Sequence, residues 1–299
     1  MLTASAGFAD LEQHSLLALG NVTIHHRQPF ALEQLLAVYG GAFTAHGAGL
    51  SADLPEETLQ IALGTEAEAA GDRFVRQLAT YDSMSQAGMD PLWTAVTGYY
   101  AGFFAANALM LACGRGVLRV DRAAITAAQA RGLHRVNIRP GVTFGQLQLS
   151  LTPITGPASH QATWAAVRDL LNDLAATAGN GQREELTFSA LAAMIVGPNW
   201  LSRERNDINY DFKRNPFLAG FWPRELPSLI DEAAVENRIL TIVAPRPEQR
   251  FELVMAGCAS LFFGLGRSFR ARGGKIDPQR RKRRQEAMTA CPALSWLVA

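Results

Sequence analysis

Residues 91–114, PLWTAVTGYYAGFFAANALMLACG, carry no charged side chain, and a run of this kind must be enclosed by something apolar. About 20 predominantly apolar residues suffice to cross a bilayer. Here, however, Thr94, Thr97, Tyr99, Tyr100 and Asn107 interrupt the run, while Ala101, Gly102, Ala105, Ala106, Ala108 and Ala112 let neighbouring helices approach closely. That mixture fits a helix buried at the centre of a bundle better than a membrane span. No membrane association is expected.

The remainder of the chain has the make-up of a packed protein. Of its 299 residues 48% are apolar and 18% charged, with a formal net charge of +1, so there is no overall bias toward polyanions and no sign of disorder. The length allows one domain or two. Cys113, Cys258 and Cys291 are odd in number, widely spaced and without a CxxC pair. They read as reduced thiols of a cytoplasmic protein rather than a disulfide framework or a zinc site. Residues 1–15 lack a basic stretch followed by an apolar one, so no secretory signal is expected.

Helical periodicity dominates the chain. It predicts helices over 30–39, 55–63 (Pro at its first turn, acids behind it) and 66–81, then the apolar helix closed by Gly114. Between 133 and 155 the pattern changes. Pro140-Gly141 separates 135–138 from 144–151, where Phe144, Leu147, Leu149 and Leu151 come close to alternation. Helices resume over 159–176, 184–196, from Asn199 to about 212, and then 226–243, 247–265 and 278–290. The expected fold class is mainly α, a helical bundle with one small β-hairpin inserted near 135–152. The expected regions are an N-terminal helical part (1–90), a helical core with the hairpin (91–215) and a C-terminal helical part with a basic cluster (216–299).

Most catalytic signatures are absent: there is no phosphate-binding glycine loop ending in Lys-Ser or Lys-Thr, no HExxH and no GxSxG. His25 and His26 diverge by adjacency, so no metal is expected there, and no cofactor is implied anywhere. His134 and His160 flank the hairpin without acidic or cysteine partners at ligand spacing, and read as solvated loop histidines. The segment 201–215, LSRERNDINYDFKRN, is different. On a helix Arg203, Asn206 and Tyr210 share one face and Arg205, Asn209 and Phe212 a second. Two asparagines in mid-helix need compensating hydrogen bonds. They are either part of a polar network tying this helix to a neighbour or part of an anion site in which guanidinium groups bind phosphate and amides orient it.

The combination of YYAGFFAANALMLACG at 99–114 with RERNDINY at 203–210 resembles the HEPN superfamily, the compact helical domains of prokaryotic toxins and antiviral systems. The resemblance covers residues 91–215. In that superfamily a helix of the form Tyr-Tyr-Ala-x-Phe-x-Ala-x-x-Ala-Leu-Leu precedes, by two helices, one carrying a polar motif: an arginine, often a polar residue after it, and a histidine at the end of a four- to six-residue spacing. Its active members are metal-independent endoribonucleases that dimerise around one cleft. Carried over, Arg205 matches the arginine, Asn206 the adjacent polar residue, and Tyr210 stands at the nearest position allowed for the histidine. No histidine follows His160. A tyrosine, with a pKa of about 10 against about 6.5 for histidine, exchanges protons poorly near neutrality.

The resemblance thus implies a HEPN-like effector or subunit that acts on or binds RNA in a toxin–antitoxin or antiviral defence system. Its catalytic set would be Arg205, Asn206, Asn209 and Tyr210, with Arg203 a further contact, and it would be a homodimer or part of a larger complex. The alternative is a non-catalytic helical assembly or sensor subunit. Independently, residues 267–284 hold nine Lys or Arg and one acid. Arg280, Arg281, Lys282, Arg283 and Arg284 would then follow a nucleic-acid backbone, or form a solvated surface, or meet an acidic partner.

Overall fold

A computed structural model describes residues 22–24, 31–89, 91–120, 132–156, 159–178, 183–195, 197, 232–242, 245, 247–271 and 273–289. In chain order the elements are β1 (Thr23–Ile24), α1 (Ala31–Tyr39), β2 (Thr44–His46), β3 (Gly49–Pro55), α2 (Glu56–Gln86), α3 (Pro91–Ala112), β4 (Arg115–Val120), β5 (Gly132–Pro140), β6 (Gln146–Pro153), α4 (Ser159–Thr177), α5 (Arg183–Met194), α6 (Glu232–Thr241), α7 (Pro247–Ala271), β7 (Lys275–Ile276) and α8 (Pro278–Thr289). The described chain is mainly α.

The apolar run forms α3, and it is the buried helix of the bundle. Ala95, Tyr99, Ala101, Ala105, Ala106, Ala108, Leu109, Met110 and Ala112 are all inaccessible or nearly so, packed along α2, α7 and α4. It is the one described helix long and apolar enough to cross a membrane, and two thirds of it is buried within the protein, as in the core helix of a soluble bundle. Gly114 closes it at φ +68°, a left-handed conformation that favours glycine. The Gly114 carbonyl then accepts the Ile138 N–H at 2.9 Å, so the turn off the helix leads directly into β4 beside β5.

Two predicted helices, 55–63 and 66–81, are one continuous helix, α2, which begins one residue after Pro55 with Glu56 and Glu57 at its positive end. Its first part, through Leu59, Ala62 and Leu63, packs under a sheet with α1. Its later part, through Ala67, Ala70, Phe74, Val75, Leu78 and Tyr81, packs into the helical core with α3, α4, α5 and α7. Helices from all three predicted regions share that second core.

The predicted hairpin exists as β5 and β6, but it is not an isolated insertion. It is the middle of a five-stranded antiparallel sheet, ordered β2-β3-β6-β5-β4. The register sets Leu50 opposite Leu151 and Leu151 opposite Val136, then Ala52, Leu149 and Ile138 in the next inward row. The outward rows are polar: Ser51, Ser150, Asn137 and Arg115, then Asp53, Gln148 and Arg139. One face is therefore apolar and covered by α1 and the start of α2. The extra strands escape sequence reading because β3, GLSADLP, is built from poor strand formers, and β2 has only three residues. Phe144, which continues the alternation in the sequence, sits in the turn and is fully exposed.

Close helix crossings rest on glycines. A Cβ at Gly102 of α3 would lie 2.8 Å from the Phe251 ring of α7, one at Gly71 of α2 only 2.5 Å from Phe262, and one at Gly257 of α7 2.8 Å from Leu191 of α5. Gly102→Leu should therefore lower stability by roughly 1–3 kcal/mol through overpacking against a fully buried ring, as read from the denaturant midpoint.

Candidate functional site

Arg203, Arg205, Asn206, Asn209 and Tyr210 lie outside the described residues. What the structure does describe is the ground beneath the motif-like helix α3. Tyr99, fully buried, has its hydroxyl 2.8 Å from His160 Nδ1 and accepts the Trp164 Nε1–H at 3.2 Å. The His160 ring stacks on Phe103, with centroids 4.2 Å apart and planes inclined by 15°, and meets Tyr100 edge-on at 5.9 Å. Phe251 of α7 stacks on the other side of this group, 6.3 Å from Tyr99. The Tyr-Tyr-x-x-Phe spacing thus builds an aromatic nest around one imidazole and one phenol.

This corrects the expectation for the two histidines. His160 is not in a loop but in the first turn of α4, four residues before Trp164, so both fall on the face turned to α3. His134 is not solvated either. It is 2% exposed on the inward face of β5, with Nδ1 3.2 Å from the Gly132 carbonyl oxygen. No three His, Cys, Asp or Glu side chains converge in a metal-holding arrangement among the described residues. Cys113 and Cys258 are buried free thiols, pushed up to about 12 by burial, so they remain protonated and unreactive.

The five basic residues of α8 divide into two sets. Arg280 and Arg284, one helical turn apart, point inward onto Glu68 and Asp72, which are one turn apart on α2. Arg284 Nη2 lies 2.7 Å from Glu68 Oε2 and 2.7 Å from Asp72 Oδ1, its Nε donates to Asp72 Oδ1 at 3.0 Å, and its guanidinium sits 5.3 Å above the Phe263 ring. Arg280 Nε makes an ion-pair contact of 2.9 Å with Asp72 Oδ2, at an angle unfavourable for a hydrogen bond. Burial pushes the Asp72 carboxyl above the usual carboxylate range, against the pull of Arg284 and Arg280. These two arginines are part of the packing of α8 on α2 and do not face solvent. Arg281, Lys282 and Arg283 form the exposed basic edge.

Beside the nest, α1, α2, α3, the edge strand β4 and the start of α4 enclose a half-open cavity of about 380 Å3. Phe103 and Phe104 form an aromatic corner in it, 5.9 Å apart and inclined by 64°, and Arg73 lies 5.7 Å above Phe104. Glu66 borders the α1 side, where it accepts the Leu32 N–H at 3.5 Å. Burial holds the Glu66 carboxyl above its ordinary range, although the α1 backbone and Arg73 pull the other way.

No family model matches the chain, and neither a curated protein nor a solved structure matches it.

Two measurements check this picture. Arg284→Met leaves Glu68 and Asp72 buried with too little counter-charge and should cost about 3 kcal/mol, a fall in Tm of roughly 6–12 °C. The triple change Arg281→Ala, Lys282→Ala, Arg283→Ala should leave Tm within a degree or two. For Glu66, a folded pKa above the unfolded one means the folded state binds more protons. Its contribution is then full below the ordinary carboxyl pKa of about 4.3 and is lost as pH rises through the folded value. Between about pH 4.5 and 7, Glu66→Gln should lose less stability than the parent, read from denaturant midpoints across that range.

Proposed function

We propose that this protein is a HEPN-like effector or subunit that binds RNA in a prokaryotic toxin–antitoxin or antiviral defence system, acting in the cytoplasm as a homodimer or within a larger complex. The observation that carries the reading is the order of elements. The Tyr99-Tyr100-Ala101 helix, α3, is followed among the described residues by two helices, α4 and α5, and then by the segment holding Arg205, Asn206 and Tyr210. That is the spacing the resemblance requires. The β4–β6 strands enter between α3 and α4 without changing this count.

On this reading the reaction is metal-independent attack of a ribose 2′-hydroxyl on the adjacent phosphorus: the P–O2′ bond forms as the P–O5′ bond breaks, leaving a 2′,3′-cyclic phosphate, while water takes the 2′-hydroxyl proton and protonates the departing 5′-oxygen. Arg205 stabilises the charge that develops on the phosphorane oxygens, Asn206 and Asn209 orient the phosphate, and Tyr210 donates a hydrogen bond to it. Two facts favour a second reading, a non-catalytic assembly or sensor subunit. No histidine follows His160, and Arg280 and Arg284 are spent on Glu68 and Asp72, which leaves Arg281, Lys282 and Arg283 as the basic edge for a phosphate backbone.

Purified protein incubated with total RNA in EDTA separates the two. Cleavage that falls at least 100-fold in Arg205→Ala, with Tm unchanged, supports the nuclease. Salt-sensitive RNA binding without cleavage, weakened by the Arg281, Lys282 and Arg283 triple change, supports the sensor. An Arg205→Ala protein that melts many degrees lower, with no separate loss of RNA-dependent function, assigns Arg205 to a structural network.

A further inference from the structure

The end of α7 and the start of α8 gather more positive charge than the carboxylates of α2 neutralise. Arg267 and Arg270 stand on α7, and Arg280, Arg281 and Arg284 on α8. Against them stand Glu68 and Asp72, and Arg284 and Arg280 take both of these acids. Arg270 and Arg281 make no ion pair and no side-chain hydrogen bond among the described residues. Arg281 is exposed, but Arg270 is half-buried, where an unpaired charge is costly.

The place of the Arg270 guanidinium is defined by Gly266. The side chain folds back along α7, so that its Nη1 lies 3.8 Å from the point where a Cβ on Gly266 would stand. Beyond the backbone of α7 and the adjoining residues, no other atom of the described residues comes within 4 Å of that point, although Gly266 itself is buried. The guanidinium thus borders a small hollow instead of a packed wall. Burial lowers its proton affinity, and Arg281, Arg284 and Arg267 repel it further. Glu68 pulls the other way without offsetting them, because its Oε2 is bound to Arg284 at 2.7 Å.

Helix dipoles account for one of the two arginines and not for the other. Arg270 is in the last turn of α7, where the negative end of the helix welcomes a cation, but Arg281 is in the first turn of α8, where the positive end opposes one. Asp277, just before α8, does not relieve this. Its Oδ1 accepts the Gln279 N–H at 2.8 Å and its carbonyl the Arg281 N–H at 3.2 Å. Two guanidinium groups that repel each other beside a hollow are stabilised by an oxyanion between them. A phosphate suits this better than a carboxylate, whose two oxygens lie in one plane and engage one fork, whereas the tetrahedral phosphate offers oxygens to two forks at once.

We propose that the corner between α7 and α8 is a binding site for one phosphate group, bridged by Arg270 in the hollow over Gly266 and by Arg281 at its mouth. The site does not depend on the RNA reading, because a free phosphate ion and a phosphate of an RNA strand carry the same chemistry.

The test is calorimetric titration of the full chain with inorganic phosphate, at an ionic strength held constant with sodium chloride. Expected is saturable binding of one phosphate per chain with Kd below about 10 mM, at least tenfold weaker in Arg270→Gln and in Arg281→Gln. Arg139→Gln, which changes an exposed arginine of β5, should leave it unchanged. Melting gives a readout of opposite sign in two buffers. In chloride alone Arg281→Gln should melt no lower than the parent, since it loses only repulsion; in saturating phosphate the parent should melt higher, since it alone gains the bound ion. A single-stranded RNA oligonucleotide then separates the two sources. If RNA supplies the phosphate, inorganic phosphate competes with it and Arg270→Gln weakens it at least tenfold; if a free ion does, Arg270→Gln weakens phosphate and leaves RNA unchanged. Failure of RNA to bind while phosphate still binds counts against the RNA reading and supports this site. Absence of saturable phosphate binding below about 10 mM overturns the proposal, as does binding that both variants leave intact. So does an Arg281→Gln protein that melts lower than the parent in chloride, which assigns the residue to the fold.

Discussion

One helix holds two cores together. α2 is 31 residues long, its first turns seal the apolar face of the sheet with α1, and its remaining turns form a wall of the helical bundle. A continuous helix transmits position rigidly, so the sheet cannot shift without moving the bundle. Three sets of contacts described above refer to α2. It packs along the full run of α3, it carries Glu68 and Asp72 for α8, and it carries Glu66 and Arg73 for the cavity.

The way acids are distributed along α2 explains why a nearly neutral chain can keep a basic run at 267–284. Glu68 and Asp72 take in two of its guanidinium groups, and Phe263 covers one of them. Burying such a set is costly unless every charge finds a partner. The specific gain is alignment. Two acids one turn apart facing two arginines one turn apart fix the axial position of α8 on α2, which apolar packing alone would leave free to slide. The same helix presents its remaining basic side chains outward, so one element serves packing on one face and charge on the other.

How far the sequence reveals this depends on the range of the signal. The helices are legible because 3.6-residue periodicity is local, and β5–β6 because Pro140-Gly141 separates two extended runs. α2 is split in the sequence reading at Gly64-Thr65, where weak helix formers interrupt the pattern, yet both residues are buried at the junction of the two cores and tertiary packing overrides propensity. The sheet's width is hidden because β3 owes its place to pairing with β6 across about a hundred residues, not to its own composition. The inward turn of Arg280 and Arg284 had a signal that composition conceals: the i, i+4 spacing is matched by Glu68 and Asp72. His160 had one too, its i, i+4 relation to Trp164, but only the fold shows that Tyr99 lies opposite.

The parallel pairing of β1 with β7 bears on how the protein is made. Lys275 N–H meets the Val22 carbonyl and Asp277 N–H the Ile24 carbonyl, and α7, just before β7, fills the centre of the helical core through Phe251, Val254, Met255 and Cys258. During synthesis, α2, α3, α4 and α5 leave the ribosome before α7 exists. Until it emerges, the side of α3 that carries Gly102 faces no ring, and Val22 to Ile24 have no strand to join. The nascent chain must hold an open, apolar-sided bundle from the end of α5 at Met194 until α7 is complete at Ala271, on the order of 4–15 s at about 5–20 residues per second. Its solubility over that interval rests on the hydrophilic outer faces of α2 and α4 and on whatever chaperone meets the uncovered α3.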